Sequence, residues 1–149
     1  MTALRPDVPV TTDPVEAAQR AVEVAKPEFG QYFLIQFLGL SIDYLDEDKS
    51  CTVRLPFAPH LCNAGGAIHG GVLTTALDIS MGHACNRYLT PGSTIDMSVR
   101  FMRPVRTDSV CTGRILHGGR RVVQLESRLY DDSGRLAALA TGSWFRNDA

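Results

Sequence analysis

The chain has 149 residues, 44% of them hydrophobic, which suits one domain with a core of its own. Charged residues make up 21% and the formal net charge is -1, so neither nucleic acid nor an anionic membrane is expected as the main partner. No run approaches the roughly 20 apolar residues that cross a bilayer, and the N-terminal stretch lacks the apolar core of a signal peptide; a soluble cytoplasmic protein is expected. Cys51, Cys62, Cys85 and Cys111 form no C-x-x-C pair. They read as free, mostly buried thiols rather than zinc ligands or a disulfide framework.

Residues 1–12, with Pro6 and Pro9, read as an extended arm. Asp13 before Pro14 is an N-cap followed by proline at the first helical position. Val15, Ala18, Val22 and Ala25 then repeat at helical spacing until Pro27, which ends or kinks the helix. GQYFLIQFL reads as a second short helical piece, or as a strand. From Leu38 the period changes, and LGLSIDYLDEDKSCTVRLPF reads as a hairpin turned at Asp46-Glu47-Asp48-Lys49. APHLCNAGGAIHGG, rich in glycine, is a loop.

Between Gly71 and Tyr88, a helical stripe is formed by Val72, Leu73, Ala76, Leu77, Met81, Ala84, Cys85 and Tyr88. The opposite face, Thr74, Thr75, Asp78, Gly82 and Asn86, is small and weakly polar, so this helix should be buried on nearly all sides. STIDMSVRFMRPV alternates, with Ile95, Met97, Val99 and Phe101 on one face, and Pro104 closes it. Three more strands follow, separated by Gly118-Gly119 and by Asp131-Asp132-Ser133-Gly134. The expected architecture is α+β: five to six strands around one long helix, ordered ββ-α-ββββ, over residues 38–149, with 1–37 as an arm and helical extension.

Asp78 is the only acid or formal base between Ala64 and Asn86. A carboxylate on a buried helix must be paired, protonated or turned to a wet cleft. It could serve structure, by capping a loop or bonding Thr74. It could also do chemistry, and His69-Gly70-Gly71 at the start of the same helix favours that. Two glycines let a ligand approach the backbone, at Gly70 and Gly71 alike. The first N–H groups of a helix lack internal partners and carry partial positive charge, which suits the oxyanion of acyl transfer. Gly70 and Asp78 are eight residues apart, about 12 Å along a helix. If both act on one carbonyl, the carboxylate must come from a second, antiparallel copy of the helix, which makes a two-fold dimer.

Asn63, Gly66, His69-Gly70-Gly71-Val72 and Leu77-Asp78 together resemble the signature of PaaI-like hotdog thioesterases. The resemblance continues through Thr94-Ile95-Asp96-Met97, Phe101-Met102-Arg103-Pro104-Val105 and Gly134-Arg135 to Ala140-Thr141-Gly142-Ser143, and covers roughly residues 38–146. It implies the hotdog fold, a sheet wrapped around the long helix and paired into dimers, often dimers of dimers. It implies hydrolysis of acyl-CoA thioesters with no metal and no cofactor. By position, Gly70 would supply the oxyanion N–H, and Asp78 the carboxylate that attacks or activates water. Asn63 would orient water or bond the thioester. His69 would support the loop or the leaving sulfur, and Thr94 would help hold the water. Bottom-up, His69 and Asn63 are equally at home as loop-building residues.

Coenzyme A brings phosphates, which arginine binds through its planar fork. Arg100, Arg103, Arg106, Arg114, Arg120 and Arg121 lie on late strands, and Arg120, Arg121 and Arg103 are the candidates for that role. Phe57, Leu73 and Leu77 are candidates for the acyl pocket. Two other functions fit the same fold. One is a non-catalytic acyl-CoA binder, which would need neither Asp78 nor Asn63. The other is an enoyl-CoA hydratase, which would draw on His83, five residues after Asp78.

Overall fold

The computed structural model describes residues 10–147; residues 1–9, which hold most of the expected arm, and 148–149 lie outside the described part. Helix α1, Pro14–Val24, starts where Asp13 Oδ1 accepts the N–H groups of Val15 and Glu16 at 2.8 and 3.3 Å. It buries Ala17 and Ala21. Helix α2, Phe33–Phe37, realises the helical alternative for its segment and buries Ile35. Strands β1, Ser41–Leu45, and β2, Ser50–Leu55, form the expected hairpin. A 3₁₀ turn, Pro59–Leu61, and a loop lead into the long helix α3, Gly70–Tyr88. Strands β3, Gly92–Phe101, β4, Ser109–Gly118, β5, Val122–Asp131, and β6, Leu136–Arg146, complete the chain.

The six strands form one antiparallel sheet in the order β1-β2-β4-β5-β6-β3, with α3 packed on one face. Leu73, Leu77, Met81 and Cys85 of α3 meet Val53, Leu125, Leu129 and Trp144 of the strands in the core. Each such aliphatic or aromatic side chain contributes roughly 2 kcal/mol on burial. One close approach sets the helix depth. A Cβ added to Gly113 of β4 would lie 2.4 Å from the Ser80 carbonyl group. Beside that contact, the buried Ser80 hydroxyl is 2.7 Å from Ser127 Oγ and donates to Leu77 O, so no polar atom of the pair is stranded.

Strand β3 departs from the simple alternation. Its register against β6 slips between Thr94 and Asp96, so Ile95 is the extra residue of a bulge. Met97 and Val99 pack on the core as expected, whereas Ile95 is 54% exposed. The bulge resets the two-residue period, so Thr94, not Ile95, joins the face that looks at α3. Strand β3 is also an edge of the sheet, bonded along one side to β6. Phe101 and Met102 near its end are 52% and 47% exposed.

Candidate active site

The start of α3 is closed by His69. Its Nδ1 accepts the Gly71 N–H at 2.9 Å, and its carbonyl accepts from Val72 and Leu73. His69 thus caps the helix, the structural part open to it from sequence, and the Gly71 amide is consumed by that cap. The Gly70 N–H has no hydrogen-bond acceptor among the described residues. It is the one amide of the first turn left for a ligand, and it carries the partial positive charge of a helix end.

Gly70 lines a cleft of about 310 Å³ together with Asn63, Ile68, Leu73, Phe101, Met102, Arg103 and Pro104. Asn63 has committed one end of its amide: Oδ1 accepts from Gly65 N–H at 2.9 Å and from Ala67 N–H at 3.4 Å. Its NH₂ end remains a donor at the cleft wall. The Phe101 ring closes the cleft over the helix start, 3.3 Å from where a Gly70 Cβ would stand, so glycine is what keeps this approach open. The Phe101 and Met102 walls were not singled out from sequence as pocket residues. Only their contact with the helix start reveals them.

Asp78 lies eight residues further along the same helix, half-buried, on the thin polar face. Thr94 Oγ1 donates to its Oδ1 at 2.8 Å, so the pair joined by sequence resemblance is in contact. The Thr74 hydroxyl instead donates to Gly70 O, which removes the structural partner considered for Asp78. Desolvation pushes the Asp78 carboxyl above the ordinary carboxylate range, and the Thr94 hydrogen bond pulls it part of the way back. A carboxylate so placed is a better base than one in water.

The arginines divide. Arg103 reaches the cleft wall and donates from Nε to Leu136 O at 3.1 Å. It also borders a neighbouring hollow of about 310 Å³ lined by Arg106, Asp131, Asp132 and Arg135, of which Arg135 is paired with Asp131. Arg120 and Arg121 are exposed in the β4–β5 turn. That turn touches the far end of α3 through Gly118 and Leu89, remote from Gly70 of the same chain. Of the expected acyl-pocket residues, Leu73 lines the cleft and Leu77 is wholly core. Phe57 does not line it and packs instead on the main core. His83 is buried under the Phe29 ring, which lies between α1 and α2, with Nδ1 2.7 Å from Tyr44 Oη. Five helical positions turn it about 140° from Asp78, so the two do not form a dyad.

The model of the thioesterase superfamily matches residues 65–138, the stretch that holds Gly70, Asp78 and Thr94. A conserved protein of Pseudomonas aeruginosa is 32% identical over 75% of this chain and 91% of its own, with a TM-score of 0.70. The chain belongs to the thioesterase superfamily. Its sheet around a central helix is the hotdog fold, as the sequence signature implied. The BH2602 protein of Bacillus halodurans, solved with CoA, is 26% identical over 88% of this chain and 86% of its own, with a TM-score of 0.75. A Saccharolobus solfataricus protein that bears the name of an esterase is 27% identical over 89% of this chain and 92% of its own. Superfamily and relatives alike point to hydrolysis of an ester or thioester bond as the class of chemistry. Among the described residues, no helix is long and apolar enough to cross a membrane.

Proposed function

We propose that this chain hydrolyses acyl-CoA thioesters in the cytoplasm as a homo-oligomer, each site combining Gly70 of one subunit with Asp78 of its mate. The observation that carries the reading is the unclaimed Gly70 N–H in a cleft, on a helix whose single carboxylate is held by Thr94. The thioester oxygen accepts from Gly70 N–H, which stabilises the oxyanion as the carbonyl is attacked. Asp78 either takes a proton from the attacking water or adds to the carbonyl itself and gives an anhydride that water then opens. In both routes a C–O bond forms, the C–S bond breaks, and the thiolate leaves and is protonated to free CoA.

Both groups sit on one helix about 12 Å apart, too far for a single carbonyl, which favours donation of Asp78 by a second copy. The open edge of β3, ten residues long with Ile95 and Phe101 exposed, supports the same reading, because such an edge pairs readily with its like. Arg103 beside the cleft is best placed to meet a phosphate of CoA. The Bacillus halodurans structure solved with CoA supports that choice of carrier. A superfamily member that only bound acyl-CoA would have no use for a half-buried carboxylate with a raised pKa.

Free-thiol release from a panel of acyl-CoA esters tests the proposal. Asp78→Asn should cut kcat by about 10²–10⁴-fold and leave the fold intact. Near-normal turnover in that variant removes the mechanism. Tight acyl-CoA binding with no thiol release from the parent chain favours the binder instead. In single turnover in ¹⁸O-water, ¹⁸O found in Asp78 establishes the anhydride route, with water opening the anhydride at the Asp78 carboxyl carbon.

A further inference from the structure

Gly70 and Phe101 meet in the cleft, one from the start of α3 and the other from the end of β3. The tip of the ring makes the contact. A Cβ added to Gly70 would lie 3.3 Å from Phe101 Cζ and 3.6 Å from each Cε. The ring therefore stands over the residue whose N–H is free for a substrate oxygen. Phe101 is 52% exposed, which leaves about half of it for a ligand to cover.

The backbone that carries the ring is fastened on two sides. Phe101 pairs with Ala138 of β6, and the Met102 and Arg103 N–H groups both donate to Ala137 O, at 2.8 and 3.3 Å. Pro104 fixes the next φ. Val105 O then accepts the Ile68 N–H at 2.8 Å, which ties the segment to the loop that enters α3. A group that presses on the ring meets a wall whose frame does not retreat.

The chemistry of the wall decides what it can hold. Ile68, Leu73, Phe101, Met102 and Pro104 give the cleft an apolar lining. The N–H groups of Ile68, Met102 and Arg103 are spent in the bonds just described, and proline has none. The arm of CoA on the thiol side carries two amides, which would lie unpaired against such a lining at a cost. A simple acyl chain has no polar group beyond its carbonyl, and that oxygen has the Gly70 N–H. The acyl side of the thioester is what suits this wall. With the oxygen about 2.9 Å from Gly70 N, the carbon next to the carbonyl comes close to the helix start, where the ring tip stands.

We propose that Phe101 is a specificity-determining residue, its ring crowding the first carbon of the acyl group so that straight chains are admitted and chains branched at that carbon are refused. The inference rests on the thioesterase reading above and narrows its substrate class to acyl groups unbranched next to the carbonyl.

The test uses two pairs of isomeric esters: butyryl-CoA with isobutyryl-CoA, and hexanoyl-CoA with 2-methylpentanoyl-CoA. Each pair has equal carbon number and differs only in the branch, and intrinsic reactivity cancels when parent and variant are compared on the same pair. The parent should favour the straight ester by at least about tenfold in kcat/KM. Phe101→Ala, which opens the wall, should shrink that preference at least about fivefold, and Phe101→Leu should shrink it less. An unchanged ratio in Phe101→Ala overturns the inference even where both rates fall, because an equal loss marks a packing role. A parent that does not favour the straight ester overturns it as well. If Phe101→Ala shows no cooperative unfolding transition, Phe101→Leu carries the same comparison, and an unchanged ratio there is equally decisive. Should the parent release no thiol from any of the four esters, the thioesterase reading fails and the inference with it. Should thiol be released at an unchanged ratio, only the part given to Phe101 fails.

Discussion

Thr94 Oγ1 donates to Asp78 Oδ1 at 2.8 Å because a bulge at Ile95 turns Thr94 toward α3. Without that extra residue, the strand period would point Thr94 away from the helix and leave the carboxylate unheld. The bond has a measurable consequence. It stabilises the ionised carboxylate, against the desolvation that raises its pKa. Thr94→Val should therefore move the acidic limb of the rate profile to higher pH, since the carboxylate then needs a higher pH to ionise. At neutral pH kcat should fall about tenfold, the worth of one hydrogen bond to a charged group. Thr94→Ser should retain most activity and the parent profile. An acidic limb unmoved in Thr94→Val would show that this bond does not tune the reacting group.

Gly113 and Ser80 give a prediction about stability rather than rate. A methyl on residue 113 would lie 2.4 Å from the Ser80 carbonyl and 2.7 Å from Met81 N, both backbone atoms that no rotamer change can move. Helix α3 would have to lift from β4, disturbing the buried Ser80–Ser127 pair as it goes. Gly113→Ala should cost about 1–3 kcal/mol, or more if the helix does not yield. Gly118→Ala is the control, because its methyl would meet only the flexible Leu89 side chain at 3.4 Å. Urea unfolding of the two variants measures the difference, and equal midpoints would contradict the packing described here.

Much of this could be read from sequence for a local reason. The Asp13-Pro14 start of α1 and the turn at 46–49 are decided within a few residues, as is the long helix bearing Asp78. Gly70 and His69 were legible as a helix start, and the capping bond explains which amide is spent and which is left. What stayed hidden is non-local. The bulge at Ile95 interrupts a run that alternates without fault, so nothing in the period announces it. The reach of Phe101 over Gly70 depends on how β3 curves past the helix start, which pattern alone does not encode.

His83 anchors the link between α1 and α2, and its chemistry makes that anchorage sensitive to acid. The ring is 1% exposed, and desolvation lowers its pKa from 6.5 to about 4. Tyr44 Oη faces Nδ1, Phe29 covers the ring, and Nε2 has no partner among the described residues. The unfolded chain takes up a proton near pH 6.5, whereas the folded chain resists until about pH 4. The stabilisation from keeping this ring neutral is thus complete above pH 6.5 and is lost as the pH falls toward 4. Its full size is about 3 kcal/mol, from the span between the two pKa values. His83→Gln keeps a polar partner for Tyr44 and does not titrate. It should be the less stable protein at pH 7.5, and its deficit should shrink steadily as the pH is lowered to 4. Urea midpoints of the two proteins across that range measure the difference. Parallel curves would mean that His83 exchanges its proton equally in both states and does not control how the link is held.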